Sequence, residues 1–576
     1  MNGCNFINTL NKLRKSSSDS IDNVDSFDNF KEYMHVVRDA ERDLKLVLRQ
    51  VNSGTKKTLV LLCGSAGDGK SHLLSYLKNS DSEKLLESYK IHNDATESNA
   101  PEKTAIDTLY EVLSEFKDEN LDNPGSNMIL AINLGVLSNF IESKYGEDFK
   151  TLKQYVFDTN ILSSKVNEQG YNPNSCFQHI SFSDYHMFLL EKDGVNPDYI
   201  RSLFEKIVVQ DEKNPFYTSY NKDCSSCPLS SKCPIKKNYE FFMNPKVREY
   251  ISLLLVNVIV REKEILTTRE LLNYVFDILV AQEFDFSKYQ KSSLNTSKFL
   301  KEYLSCITPT VLFDCEDVSS IMDKTHKYDP LLDRDENADD LAIEYYIVDD
   351  VSKAIEKLFV DSPYVDVFND KKTIEVINSD RSLKSKLFNV LVRTRAISTG
   401  IVAGESFRKY IGDLFSYNAG KVPKLNKLYS DVEEAVTNWC GNESEGNICI
   451  NDQYKEFTLY ENIKFDAFLD DMPKEMDDEN LNRFLPYIIV EFQNNVTKQP
   501  IKLDIDYSLY ELIGKLKKGY VQTAEDRNNH ADFISFIAKI LKTGSADKYM
   551  TVISDKSQKA ILEKTKFGVY KFKVVK

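Results

Sequence analysis

The stretch Gly64-Ser65-Ala66-Gly67-Asp68-Gly69-Lys70-Ser71 constrains this chain more than any other, because it has the pattern G-x-x-x-x-G-K-[ST]. Residues 59–63, just before it, are wholly apolar and predict a strand that is buried on both faces of a parallel sheet. Residues 72–77, just after it, begin a helical pattern. A strand, a glycine loop and a helix start in this order are the setting that a phosphate-binding loop requires.

The residue types of the loop indicate its chemistry. Gly64 and Gly69 let the backbone curl, so that successive amide groups point into one concavity, and the helix start adds N–H donors. Lys70 is expected to reach the β- and γ-phosphates of a nucleoside triphosphate, and the Ser71 hydroxyl to be a ligand of Mg²⁺. A glycine-rich turn that binds nothing is the alternative. The sequence predicts binding of ATP and Mg²⁺ by Gly64, Ser65, Ala66, Gly67, Asp68, Gly69, Lys70, Ser71 and His72.

Apolar and helical segments alternate after the loop. Residues 88–93 and 128–133 predict strands, and residues 102–116 between them predict a helix. This alternation favours a parallel α/β sheet, and we expect an AAA+-like α/β P-loop NTPase domain with a helical lid and a helical middle region. Before the loop, apolar residues at helical spacing over 28–50 predict a helix beside that domain.

The character of the chain changes near its C-terminus. Residues 501–507 alternate as a half-buried strand does, which favours a separate α+β domain with an interaction role. We therefore expect an N-terminal helical segment, the NTPase core, a cysteine loop with the lid, the helical middle region and the α+β domain. Their predicted bounds are residues 1–55, 56–220, 221–283, 284–439 and 440–576.

Hydrolysis of ATP normally requires a carboxylate at the end of a strand near the loop, to hold Mg²⁺ or to orient water. The best-formed such strand ends in Asn133-Leu134-Gly135 and offers none. Asn133 suits a polar sensor of the γ-phosphate or of the attacking water. Asp94, Glu97 and Asp184 are the candidates for the acid, and each is equally well explained as a helix cap or a turn residue.

A helix start in the predicted lid carries a further candidate. Thr267 or Thr268 would cap a helix that begins with Arg269. An arginine at this place suits a contact with the γ-phosphate that reports its loss. An exposed partner in an ordinary salt bridge is the alternative.

Farther along, basic residues form one noticeable cluster, which suits either phosphates, including the nucleotide of a neighbouring subunit in a homo-oligomer, or a solvated face. Its members are Arg381, Lys384, Lys386, Arg393 and Arg395.

Three cysteines are spaced C-x2-C-x5-C at Cys224, Cys227 and Cys233. Clustered thiols in a reducing compartment are more often metal ligands than disulfides, so we expect a metal, zinc ahead of an iron–sulfur cluster. Three sulfurs are one fewer than a closed tetrahedral zinc site needs. Candidates for the fourth ligand are Cys176, His179 and His186, and free thiols in a surface loop are the alternative.

Composition limits the classes of protein. The net charge of −15 argues against a chain whose only task is DNA binding, so that a nucleic-acid contact would be local, indirect or shared with a partner. No apolar run is long enough for a membrane span, and the N-terminus lacks an apolar signal region. We expect a cytoplasmic protein with no membrane association.

Several stretches together resemble the DptF family, the P-loop ATPase-like component of DNA phosphorothioation-dependent restriction systems. They come in the family's order, are densest before residue 280, and include the three-cysteine loop. The stretches are residues 33–36, 64–74, 92–98, 131–135, 182–185 and, near the end, 504–507.

The resemblance implies a bacterial phage-defence protein that acts with partner subunits to restrict DNA lacking the host's sulfur-modified backbone. It implies that residues 64–71 are the nucleotide site of a motor or switch. Related ATPases often carry Asn-Glu-Gly or Asn-Asp-Gly where this chain has Asn133-Leu134-Gly135, which puts hydrolysis at that position in doubt. The chain has no nuclease motif, so cleavage would belong to a partner. The alternatives are a signalling or scaffold ATPase that does not act on DNA, and a P-loop protein that does not hydrolyse ATP.

Overall fold

Two compact units make up the chain, Met1–Leu189 with Pro197–Val402, and Leu190–Asn196 with Ala403–Lys576. The computed structural model describes residues 4–14, 28–93, 104–162, 170–282, 284–285, 296–314, 318–332, 336–347, 351–359, 362–368, 370–399, 404–441, 447–451, 456–464, 466–493, 498–543, 545–554, 558–565, 567 and 569–575.

A four-stranded parallel sheet forms the centre of the first unit. Its strands are β1 (Leu59–Cys63), β2 (Tyr89–His92), β3 (Asn127–Ile132) and β4 (Phe177–Ser181), in the order β2-β3-β1-β4. β1 is parallel to both of its neighbours, β3 and β4, and all its residues are buried. The sheet and its helices confirm the predicted α/β architecture.

Helices cover both faces of this sheet. On one face Leu59, Leu61 and Cys63 share a buried core with residues of the helices Ala105–Val112, Leu134–Glu142 and Lys150–Asp158. On the other face Val60 and Leu62 pack with residues of the helices Asp39–Ser53 and Lys70–Asn79. Successive side chains of a strand point to opposite faces, so an uninterrupted apolar strand is the expected result of covering both.

The hairpin strands β5 (Tyr185–Glu191) and β6 (Gly194–Asn196) follow β4 in the chain; β6 and the last two residues of β5 belong to the second unit. The remaining described elements of the first unit are mostly helical. The other helices are Asn5–Leu10, Asn29–Met34, Asp198–Val208, Pro215–Ser225, Pro234–Phe242, Pro245–Glu262, Thr268–Leu279, Ser297–Ser305, Thr308–Asp314, Ser320–Thr325, Glu336–Ile347, Ser352–Leu358, Lys371–Ser379 and Arg381–Thr399.

The single helix predicted over 28–50 is wrong, since the structure has two helices, Asn29–Met34 and Asp39–Ser53. The chain between them is extended, with ψ 128° at His35 and ψ 160° at Arg38. Within this break, His35 contacts His72 and Tyr76 of the helix Lys70–Asn79, and Arg38 contacts Asp68 of the glycine loop.

The described part of the second unit contains both helices and strands. β14, β13, β12, β8 and β7 form an antiparallel sheet in that order, and β10 pairs with β11. The strands are β7 (Asn447–Asn451), β8 (Phe457–Lys464), β9 (Asn480–Arg483), β10 (Ile488–Gln493), β11 (Pro500–Ile505), β12 (Ser545–Ser554), β13 (Lys559–Lys564) and β14 (Tyr570–Val575). The helices are Glu405–Asn418, Val422–Cys440, Tyr507–Lys517, Ala524–Asn529 and Ala531–Thr543.

Candidate functional site

The glycine loop after β1 has backbone conformations and close contacts that residues with a side chain rarely adopt. Gly67 and Gly69 are in the left-handed region, with φ of 90° and 92°. At Gly64, a Cβ atom would stand 2.7 Å from Asp68 Oδ2 and 2.9 Å from Phe182 Cβ. The glycines therefore serve the curvature of the loop and its close approach to neighbouring side chains.

The loop opens directly into the start of the helix Lys70–Asn79, with Gly69 as its N-cap. The first N–H groups of a helix have no partner within the helix and carry the positive end of its dipole. The Lys70 ammonium group adds a positive charge beside the loop. Its Nζ donates to the carbonyl oxygens of Gly64 at 2.9 Å and Ser65 at 2.7 Å. This concavity is suited to a multiply charged anion.

Asp68 fixes the loop from within. Its Oδ2 accepts a hydrogen bond from the backbone N–H of Ser65 at 2.5 Å. Burial raises the pKa of Asp68, although Lys70 and the Ser65 amide act in the opposite direction. The carboxylate thus holds the loop's curve, a task that the residue types alone did not reveal.

Arg38 joins the loop to the wall around it. Its Nη1 donates to the carbonyl oxygen of Asp68 at 2.9 Å. The guanidinium lies 5.3 Å from the ring centre of Phe182 and 5.0 Å from that of Tyr199, distances typical of cation–π contacts. No local sequence pattern singles out Arg38, because thirty residues separate it from Asp68.

A row of polar side chains continues from His72 away from the loop. His72 Nε2 is 3.1 Å from His35 Nδ1, and His35 Nε2 is 3.0 Å from Glu41 Oε2. The ring of Tyr76 stacks on His35 at 3.5 Å between centroids. Burial, aided by the nearby His35 and Lys31, lowers the pKa of His72 to about 4. His72 is therefore neutral near pH 7 and able to accept or donate a hydrogen bond.

The loop lines a 320 Å³ cavity, within the range of small-molecule sites. The polar part of its lining includes residues 66–72 with Arg38, Asn93, Asn133 and Arg269. The apolar part of its lining is made of side chains that come before and after the sheet in the chain. These are Phe30, Met34, Val36, Phe182, Tyr199, Leu203 and Leu272.

The site lies where the strand order reverses. From the carboxyl end of β1 the chain continues toward β2, and from that of β3 toward β4, so a crevice opens between β1 and β3. The glycine loop follows β1, and Asn133, the N-cap of the helix Leu134–Glu142, follows β3. Ligands of open α/β sheets bind in such crevices.

The three candidate acids have different outcomes. Asp184 ends the short 3-10 helix that follows β4, on the other side of β1. Burial raises the pKa of Cys63, the last residue of β1, to about 12. The charge of Lys70 acts to lower this pKa and the charge of Asp184 acts to raise it, so both charges are felt at the end of β1. Asp184 is not in the cavity wall formed by the described residues. Asp94 and Glu97 lie outside the described residues.

Arg269 stands beside the loop. Thr267, not Thr268, is the N-cap of the helix Thr268–Leu279, and Glu270 completes its capping box. A Cβ atom at Gly67 would be 3.2 Å from Thr267 Oγ1 and 3.5 Å from Arg269 Cβ. Arg269 is also part of the cavity wall, so the lid meets the middle of the glycine loop.

Arg393 does not belong to an exposed basic face, contrary to what the basic cluster predicts. It is 3% exposed and its guanidinium binds two carboxylates. Nη1 donates to Asp314 Oδ2 at 2.8 Å, and Nε donates to Asp329 Oδ1 at 3.1 Å. Arg393 is a buried ion-pair partner within the helical region.

The three cysteines of the C-x2-C-x5-C motif lie in a helical hairpin. Cys224 is in the last turn of the helix Pro215–Ser225, and Cys233 is the N-cap of the helix Pro234–Phe242. In the described part of the chain, no group of three or more His, Cys, Asp or Glu side chains has an arrangement that holds a metal.

Two of the residues expected as the fourth ligand of a zinc ion, His179 and Cys176, lie in or beside the parallel sheet. His179 is in β4, where it is 6% exposed and its Nδ1 lies 2.9 Å from Tyr155 Oη. Cys176 packs against the core on the β1 face that includes Leu59. His186 is in β5, its ring 6.1 Å from that of Phe188.

Comparison with protein-family models, with curated proteins and with solved structures found no match. Among the described residues, no helix is both long enough and apolar enough to cross a membrane.

Proposed function

We propose that this chain binds ATP with Mg²⁺ at the glycine loop and hydrolyses the ATP. The conformational change that follows hydrolysis would let the chain act as a motor or switch. The observation that carries the proposal is the loop itself: two left-handed glycines lead into a helix start, with Lys70 folded over the curve. This arrangement lies at the reversal of strand order in a parallel sheet, and it supports the binding of a triphosphate.

The size and mixed lining of the cavity support a nucleotide rather than an inorganic phosphate. The glycine loop would take the triphosphate, and Phe30, Met34 and Leu203 in the lining offer apolar surface for a base. Tyr199 and Leu272 line the same cavity from helices that follow the sheet. A ligand with a strongly charged part and a flat, weakly polar part suits such a lining.

Mg²⁺ fits the polar residues of the cavity lining. Ser71 lines the cavity at the start of the helix Lys70–Asn79, and Asn133 lines it after β3; a hydroxyl and an amide oxygen are their side-chain donors. These are hard oxygen donors of the kind that Mg²⁺ accepts together with phosphate oxygens. When bound, the ion would neutralise charge on the β- and γ-phosphates.

Within this proposal Asn133 orients the attacking water, and Asp184 supplies the nearby negative charge. Arg38 and Arg269 lie against the loop and come from the elements before and after the sheet. Loss of the γ-phosphate would therefore change the contacts of both arginines with the loop. That coupling is the basis for a switch.

The restriction setting rests on the resemblance to the DptF family. In a restriction complex of this kind the chain would act with partner subunits, contact DNA through the complex, and leave cleavage to a partner. The net charge of −15 is consistent with DNA contacts that are shared with those partners.

The test is phosphate release from ATP and Mg²⁺ by the purified protein, without DNA, with plain duplex and with phosphorothioated duplex. We expect turnover that plain duplex raises and modified duplex does not, and that Lys70→Ala lowers by about 100-fold or more. Lys78→Ala, in the exposed last turn of the same helix, is the matched control.

Turnover that depends on Lys70 but ignores both duplexes would assign DNA sensing to a partner or favour the signalling or scaffold ATPase. Binding of ATP without turnover in any condition would favour the non-hydrolysing P-loop protein, with Asn133 in place of a carboxylate as the reason.

A further inference from the structure

We propose that Cys4 is the fourth ligand of a tetrahedral, all-thiolate site for a zinc-like divalent ion, together with Cys224, Cys227 and Cys233. The ion would fasten the N-terminal helix to the cysteine hairpin. This inference is independent of the nucleotide site.

The N-terminal helix, of which Cys4 is the N-cap, packs against the cysteine hairpin. The helix Asn5–Leu10 lies along the helix Pro215–Ser225, where Thr9 Oγ1 donates to Ser219 Oγ at 3.2 Å. The ring of Phe6 is 5.8 Å from that of Tyr220, one position farther along the partner helix. The chain direction is thus opposite in the two helices.

This antiparallel register brings two cysteines to the same level. Five residues back from Thr9 is Cys4, and five residues forward from Ser219 is Cys224. Each step along a helix is about 1.5 Å, so equal steps in opposite chain directions end at the same height along the pair of helices.

The hairpin gathers the other thiols at that end. The rings of Tyr220 and Tyr239 are 5.2 Å apart, which packs the helices Pro215–Ser225 and Pro234–Phe242 side by side. Cys224 ends the first of them and Cys233 caps the second, while Cys227 lies in the turn, its N–H 3.4 Å from the carbonyl oxygen of Cys224.

The four groups are free thiols; Cys224 and Cys233 are buried, and Cys4 and Cys227 are partly buried. The ring of Phe6, two residues after Cys4, contacts both hairpin helices, since it is 5.1 Å from that of Tyr239 as well as close to that of Tyr220. Tyr220 is four residues before Cys224, and Tyr239 is six residues after Cys233.

These contacts place Cys4 beside the hairpin, whereas Cys176 packs against the core of the parallel sheet. A divalent ion would displace the thiol protons and offset the repulsion among four thiolates. Because the described side chains do not yet form a coordinating group, we expect rotation of the thiols to close the site.

The test is metal analysis of the full chain purified under reducing conditions, followed by replacement of the metal with Co²⁺. We expect one zinc per chain and the visible spectrum of tetrahedral thiolate-bound Co²⁺. In Cys4→Ser the sulfur-to-cobalt absorption should fall by about a quarter, and Co²⁺ affinity by about 100-fold. Cys176→Ser is the control and should match the wild type in both.

A second measurement needs no variant. Bound Zn²⁺ should protect Cys4 of the wild type from alkylation by iodoacetamide, and removal of the ion should expose it together with the hairpin cysteines. A wild type that binds neither Zn²⁺ nor Co²⁺ would overturn the proposal. So would an unchanged Co²⁺ spectrum in Cys4→Ser, or a disulfide from Cys4 to the hairpin in the freshly purified chain.

Discussion

The glycine loop and the proposed cysteine site both collect chemical groups at helix ends, but they are built by different means. In the loop, backbone dihedrals and one internal carboxylate set the shape, so the concavity exists before any ligand arrives. In the proposed cysteine site, buried and partly buried thiols come from two distant parts of the chain, and a cation would complete their arrangement. A site made of backbone is preformed, whereas a site made of side chains depends on what it binds.

The largest difference between the two regions should appear on metal removal. Stripping the proposed ion should raise amide exchange in Asn5–Leu10 by about a thousandfold, because a helix this short is not stable without its packing. Exchange in Lys70–Asn79 should not change. Hydrogen exchange followed by mass spectrometry measures both, and an equal effect on the two helices would remove the distinction.

Acid should act on the nucleotide region through His72. Its pKa of about 4 in the folded chain is below the ordinary 6.5, so the unfolded chain binds a proton first as the pH falls. Stability is fully present above pH 6.5 and should be lost between pH 6.5 and 4, by at most about 3 kcal/mol.

Urea unfolding at pH 7 and pH 5 for the wild type and His72→Gln isolates this effect from other titrating groups. The wild type should lose more stability than the variant. Equal losses would mean that His72 is not shielded as described.

A methyl group should distinguish a strained glycine from a tolerant one. Gly67→Ala places a side chain at φ 90°, which should cost about 1–2 kcal/mol and weaken ATP binding about tenfold. Gly514→Ala, in the helix Tyr507–Lys517 with no atom within 4 Å of the added Cβ, should instead stabilise by about 0.5–1 kcal/mol. Thermal unfolding and ATP titration test the pair, and equal effects would refute the account of the loop.

Arg38 should give the smallest effect. Arg38→Ala removes the hydrogen bond to Asp68 and two ring contacts, and the Kd for ATP should rise about fivefold. Arg49→Ala, which removes an exposed pair with Glu83, is the control and should leave the Kd unchanged. A loss as large as that of a loop glycine would show that Arg38 contacts the nucleotide itself.

Contiguous features of this chain were predictable from the sequence. The apolar run over 59–63 became β1, and the alternation over 501–507 became β11, whose residues are alternately buried and exposed. β11 ends at Ile505 because Asp506 caps the next helix. Local rules of period and capping were sufficient here.

Features made by distant residues were not predictable. Nothing in the pattern over 28–50 indicates the break that sends His35 onto Tyr76 and Arg38 to Asp68. The spacing of the three hairpin cysteines likewise gives no sign of Cys4, more than two hundred residues away. Such contacts depend on how helices pack, and helical periodicity identifies the buried face of a helix without naming its partner.

The central claim is that the preformed loop binds a nucleoside triphosphate through Lys70. Calorimetric titration of ATP with Mg²⁺ into the wild type and into Lys70→Ala tests it most directly. The account predicts one ATP per chain and a Kd at least about tenfold higher in the variant, since a charged contact to phosphate is lost. Equal affinity in the two proteins, or no binding to the wild type, would contradict it.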